Sequence, residues 1–304
     1  MSLFSIPSFK IFCLLLLVVK PVFTQLPSFL NQYLHQRDSL SRITISLFEE
    51  TETTIIETFT LESTSRDTIT GRIRTPKTSS RKFPLAFLVV GIETGKEVVK
   101  MIEGFDSVIV AAIDYPAIAP WDFSGTKLFS TPFAMKENAH STIPRLLLCM
   151  DYLARHPLVD TNDITLAAVS FGVFTGVPVS VLDQRVKRLV VIQAGGDMYE
   201  ILNANATRLQ IPIPPFLAGW LGMWLYSDFE PNKYISFFSP RPLLLVSGES
   251  DTFFPRSSVE SLYRNAQEPK EWIRHTSKHV TPGEQELINE LTEIVAKKLY
   301  GKQR

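Results

Sequence analysis

Three side chains far apart in the sequence have the types needed to activate a weak nucleophile: a serine, a carboxylate and an imidazole. Residues 163–172 read DITLAAVSFG, so Ser170 ends a β-prone run and opens a helical pattern. A serine held in a sharp strand-to-helix turn needs small residues two positions before and after it, because bulk there would strike the neighbouring strand or helix. Gly172 meets that need, and Ala168 departs from the usual glycine by one methyl. The same turn sets the Phe171 N–H at a helix start, where it can face a developing negative oxygen. A serine that merely caps a helix is the competing explanation.

The acid and the base are expected downstream, in that order. Residues 240–255 read PRPLLLVSGESDTFFP: an apolar strand, then Gly248, then Asp251. An aspartate just past a strand's carboxyl end shares a sheet edge with the serine turn. Glu249 is too near the strand end to reach round, and Asp228 falls in a different segment, so Asp251 is the expected acid. Residues 268–282 read EPKEWIRHTSKHVTP and offer two histidines. His275 closes an apolar run, whereas His279 lies in the loop before the last helix and is the expected base. A second donor for the oxyanion is expected after an early strand, where residues 90–95 read VGIETG. Gly91 allows close backbone approach and the Ile92 N–H is the expected donor; a glycine serving only as a turn explains the same residues.

Those side chains need a scaffold that brings strand ends together. Residues 42–48, 53–61 and 67–74 alternate or are rich in β-branched residues, as antiparallel strands with one wet face do. A short helix and linker over 26–41 precedes them. From Phe83 onward, short continuous apolar runs (84–90, 107–113, 163–168, 187–192, 242–246) alternate with helical patterns (95–104, 139–156, 171–182, 257–265, 283–300), and 271–275 reads as a further short strand. Uninterrupted Val/Ile/Leu runs between helices predict a mostly parallel sheet covered on both faces. Two segments break the alternation. Residues 115–137 carry Trp121 and several Phe and Pro, and 195–239 carry Trp220 and Trp224. The second reads as a cap-like insertion, and Trp121, Trp220, Trp224 and Gly91 are candidate substrate-binding residues.

The bulk numbers agree with one domain over 25–304. The 304 residues are 45 % hydrophobic and 20 % charged, with 31 basic and 31 acidic side chains. No basic excess points to nucleic acid. His35, His140 and His156 are scattered without metal-ligand spacing, so no metal is expected. Gly195-Gly196-Asp197 lacks the further glycine of a phosphate loop, so no cofactor is expected. Residues 1–24 have the texture of an export signal: Lys10, a short apolar run over 11–19, then Val22-Phe23-Thr24 as a cleavage site. The expectation is a secreted or periplasmic protein, or one anchored by an uncleaved run and facing outside the cytoplasm. Loss of that run removes Cys13 and leaves Cys149, in a helical apolar pattern, as the one thiol. Asn205-Ala206-Thr207 is a glycosylation sequon.

Residues 151–172 (DYLARHPLVDTNDITLAAVSFG), 240–251 (PRPLLLVSGESD) and 268–282 resemble the α/β-hydrolase superfamily, in its dienelactone-hydrolase-like and acetyl-xylan-esterase-like branch. The resemblance runs from about Phe83 to the C-terminus. It implies an α/β-hydrolase fold with antiparallel N-terminal strands, and a triad of Ser170, Asp251 and His279. It also favours His279 over His275, since His279 is followed by Val and then Thr-Pro. Three positions depart from the pattern: Ala168 for Gly, Lys278 for the Gly before the histidine, and an oxyanion loop without its His. The expected activity is cleavage of a small, apolar carboxylic ester through an acyl-enzyme. A thioesterase or peptidase would use the same triad, and a non-catalytic binding protein of this fold is the reading the departures motivate. Membrane contact through the N-terminal run or the apolar insertion accompanies these expectations.

Overall fold

The computed structural model describes residues 26–35, 38–77, 81–116 and 122–301. The export signal over 1–24 and Trp121 lie outside the described residues. Nine strands, β1 (Leu40–Glu50), β2 (Thr54–Ser63), β3 (Thr68–Pro76), β4 (Phe83–Val89), β5 (Ile109–Ile113), β6 (Val159–Val169), β7 (Arg188–Ile192), β8 (Leu243–Gly248) and β9 (Lys270–His275), form a sheet in the order β1-β2-β3-β5-β4-β6-β7-β8-β9. The helices are α1 (Ser28–His35), α2 (Val98–Met101), α3 (Lys127–Leu153), α4 (Val173–Leu182), α5 (Met198–Asn205), α6 (Pro215–Leu225), α7 (Arg256–Asn265) and α8 (Gln285–Tyr300). None of them, among the described residues, is long and apolar enough to cross a membrane.

β1, β2, β3 and β5 pair antiparallel, and β5, β4, β6, β7, β8 and β9 pair parallel. The parallel strands are the continuous apolar runs because both their faces are covered. Ile164, Leu166 and Ala168 of β6 enter the core layer shared with α1, α3 and α4. The alternate residue Ala167, with the half-buried Val169 packed beside it, faces the opposite layer, under α2 and α8. β1 differs from the one-wet-face expectation: it is exposed along nearly its whole length. It is an edge strand, and a register shift between Leu47 and Glu49 together with Glu49 and Glu50 blunts that edge.

Two helices depart from the expected lengths. The pattern over 95–104 yields a 3₁₀ turn, Gly95–Glu97, and then only one turn of α helix. Gly95 and Gly104 both have positive φ, +46° and +74°, which a helix interior does not take. In the other direction, α3 begins at Lys127, so residues 127–137 belong to a helix and not to an inserted loop. Pro132 and Pro144 lie inside it, and Phe129 and Phe133 point to solvent. Pro132 and the outward aromatics are what disguised the helical period over 127–137. Residues 195–239, between β7 and β8, carry α5 and α6, which pack face to face. Gly219 sits against Tyr199 and Gly222 against Leu202, with no room for a Cβ at either glycine.

Candidate active site

Ser170 lies where β6 ends and a 3₁₀ turn, Ser170–Gly172, leads into α4. Its φ is +51°, a left-handed value that costs a non-glycine residue about 1–3 kcal/mol and is kept only where surroundings enforce it. Gly172 shows the enforcement. A Cβ at that position would lie 1.9 Å from the Val89 carbonyl oxygen, at the end of β4. The Ala168 departure is also accommodated locally. Its methyl faces Gly176, one turn into α4, where an added Cβ would come within 2.9 Å of it. The methyl that β6 gains is the one that α4 lacks.

The three predicted side chains meet. Ser170 Oγ and His279 Nε2 are 2.8 Å apart. His279 Nδ1 and Asp251 Oδ2 are 2.7 Å apart, with both side chains buried. The other oxygen of Asp251 accepts the Phe253 and Phe254 N–H groups at 2.8 and 3.1 Å, which fixes the carboxylate plane. The Phe253 ring stacks on the imidazole at a centroid separation of 4.5 Å. A desolvated carboxylate so oriented sets the imidazole tautomer: Nδ1 carries the hydrogen and Nε2 is left to accept the serine proton. The rejected residues are elsewhere. His275 ends β9 beside Glu290 at 3.5 Å, Asp228 faces Lys136 at 3.4 Å, and Glu249 is exposed. Cys149 is a buried free thiol, its pKa driven up by desolvation, and plays no part in the site.

Sequence reasoning missed two positioning residues. Gln193 follows β7 with φ +44° and is fully buried. Its amide nitrogen donates to Ser277 Oγ at 3.0 Å and to the Lys278 carbonyl at 2.8 Å, and its amide oxygen accepts the Val280 N–H. The contacts bracket His279 on both sides. They also explain why Lys278 can replace glycine: the loop uses its carbonyl, while the residue itself is exposed. The second is Tyr115, whose hydroxyl donates to the Val90 carbonyl at 2.7 Å at the root of the 91–94 loop. Burial pushes that phenol's pKa up, so it stays a donor. Neither residue carries a motif; the sequence signal was a polar side chain within two residues of the end of an apolar strand.

A cavity of ≈ 560 Å³ opens at Ser170 and His279, and Gly91, Ile92 and Phe171 line it. A Cβ added at Gly91 would meet nothing within 4 Å, in keeping with its place on the cavity wall. Trp220 and Trp224 are corrections. Both sit on the outer face of α6, 60 % and 73 % exposed, and neither lines the cavity. The α6 face turned inward is its glycine face, which left the indoles no way in. The sequon at Asn205 is likewise unavailable: the residue is buried, lines the cavity, and its amide donates to the Ile201 and Phe253 carbonyls at 2.7 Å each.

A mixed sheet in this order, with a serine turn after β6, an aspartate after β8 and a histidine after β9, is an α/β-hydrolase fold. Solved structures share it. An acetyl xylan esterase from Paenibacillus sp. R4 superposes with a TM-score of 0.64 at 15 % identity, over 90 % of this chain and 96 % of that one. Acetyl xylan esterase 1 from Thermoanaerobacterium sp. JW/SL YS485 gives 0.55 at 16 % identity, over 90 % and 92 %. The α/β hydrolase GrgF from Penicillium sp. sh18 gives 0.55 at 13 % identity, over 85 % and 99 %. Residues 193–291 match the sequence model of a family described as "Serine hydrolase (FSH1)". That stretch holds Gln193, Asp251 and His279, and Ser170 precedes it. No curated protein sequence gives a significant match.

Proposed function

We propose that the protein is a serine hydrolase that cleaves a carboxylic ester through an acyl-enzyme. The observation that carries this reading is the unbroken hydrogen-bonded chain from Ser170 Oγ through His279 to Asp251. His279 Nε2 takes the Ser170 proton as Oγ attacks the ester carbonyl carbon. The carbonyl oxygen gains the charge, and the N–H groups of Phe171 and Ile92 are the donors assigned to it. The tetrahedral centre collapses, the C–O bond to the alcohol breaks, and His279 returns its proton to the departing oxygen. Water then attacks the acyl-enzyme with His279 as base, and the proton goes back to Ser170. Asp251 orients the imidazole and stabilises the imidazolium that forms. The complete relay favours catalysis over a silent binding pocket, and the esterases among the structural relatives favour an ester over a thioester or a peptide.

The apolar run over 11–19 supports export, to the secreted or periplasmic space, with cleavage after Thr24. Mass spectrometry of the mature protein expressed in an exporting host tests this; a product beginning at Met1 argues for an anchor. For the chemistry, a fluorophosphonate probe should label the protein at Ser170. Ser170→Ala should abolish labelling and lower kcat on a p-nitrophenyl ester by at least about 10³-fold. Equal labelling of the variant removes the proposal.

A further inference from the structure

We infer that the ester cleaved here carries a long unbranched hydrocarbon chain, which lies between the sheet and α8. The inference rests on the hydrolase reading above and adds the substrate class to it. The residues that line the cavity at Ser170 fall into two sets, one on each side of the serine turn, and mark out two arms. One runs beneath the segment between β7 and β8, past Phe174, Ile201 and Tyr226. The other follows β6 backward from Ser170 to Thr165, with Leu291, Thr292 and Val295 of α8 as its roof.

The second arm exists for identifiable reasons. Its floor is built from small residues on neighbouring strands: Ala86 pairs with Thr165, and Ala167 with Leu88. Its side wall would be a full helix in the expected pattern, but α2 stops after one turn. Phe105 and Tyr300 line the far end. The rings of Phe105 and Tyr300 meet edge to face at 6.3 Å, and the Tyr300 hydroxyl lies 3.4 Å from Thr165 Oγ1. From Ser170 to Thr165 is about 16 Å at roughly 3.3 Å per strand residue. An extended chain advances at most about 3.3–3.6 Å per three bonds, so on the order of a dozen chain atoms fit.

The lining chooses the occupant. Among the described residues, Glu93, at the Ser170 end, is the one Lys, Arg, Asp or Glu that lines the cavity. A sugar or a charged group pushed along β6 would lose water and gain few partners. A straight hydrocarbon loses nothing and gains burial along its length, at most about fourfold in affinity per methylene.

Two substrate series test this: p-nitrophenyl esters of straight-chain acids, and acetate esters of straight-chain alcohols, each from two to sixteen carbons. In at least one series kcat/KM should rise about 100-fold or more from the shortest member to the twelve-carbon member, then level off. The series that rises shows whether the acid or the alcohol supplies the chain. Thr292→Trp, on a half-buried helix face, should move that optimum to a shorter chain, and Ala167→Phe, if it folds, should move it further. A flat profile in both series, with short esters turned over, overturns the inference and leaves the hydrolase reading standing. An optimum unmoved in a Thr292→Trp protein with native circular dichroism also overturns it. No turnover at any length together with an unlabelled Ser170 removes both.

Discussion

Gln193 shows how much of a triad's geometry lies outside the triad. His279 sits on a loop, and loops are the mobile part of a fold. A loop histidine keeps a 2.8 Å approach to Ser170 only if something stiff holds both flanks. Gln193, rooted at the end of β7 in the middle of the sheet, holds them through one side chain. Substitution to Leu keeps the volume class but removes both donors and the acceptor. The expected result is a fall in kcat of about 10–100-fold with KM little changed, as for a reacting group displaced by about 1 Å. Fluorophosphonate labelling should slow in parallel. A Gln193→Leu enzyme with native kcat would show that the loop holds itself.

At the scale of elements, the contact between β6 and α4 can be read as a swap. The usual glycine before the nucleophile is Ala168, and the compensating space is Gly176. Gly176→Ala alone gains helix propensity, about 1 kcal/mol, but drives two methyls together in a closed core, where overpacking costs about 1–3 kcal/mol. Ala168→Gly alone loses a fully buried methyl. The double variant Ala168→Gly/Gly176→Ala moves the methyl from strand to helix and removes its closest clash, leaving a 3.2 Å approach to Leu166 Cδ2 at the end of a side chain. Thermal unfolding of the four proteins should give a coupling energy of at least about 1 kcal/mol favouring the double variant. Additive values would mean that the backbone relaxes around either residue. The pairing also marks what sequence could and could not reveal. Ser170, Asp251 and His279 were legible because each follows an apolar strand and strand ends share an edge. The parallel strands were legible because burial on both faces leaves continuous apolar runs. Residues 127–137 of α3 were not: an internal proline, Pro132, and the outward Phe129 and Phe133 erased the period. Nor were the roles of Gly176 and Gln193, since both act across elements far apart in sequence.

At the scale of the whole molecule, the outer surface of α6 meets an even charge balance. Phe216, Trp220 and Trp224 are all more than half exposed on one helix that carries no charged residue. Tyr226, just past the end of α6, donates its hydroxyl to the Pro132 carbonyl at 3.0 Å, which brings the exposed Phe129 and Phe133 of α3 alongside. Large apolar patches on soluble proteins usually stay apart because net charge repels one molecule from the next. The full chain's 31 acidic groups oppose 31 basic ones, and cleavage after Thr24 would remove only Lys10 and Lys20, so that long-range repulsion is weak at neutral pH. The protein should therefore self-associate reversibly at neutral pH in sedimentation velocity. Raising ionic strength from about 20 to 300 mM should change the association little, because there is little net charge to screen. Sulfate should strengthen it, as it does apolar contacts in general. Trp220→Ser/Trp224→Ser should return the protein to a monomer while Ser170 still labels, since neither indole reaches the cavity. Association that disappears in salt would assign the contact to charged side chains instead of to α6.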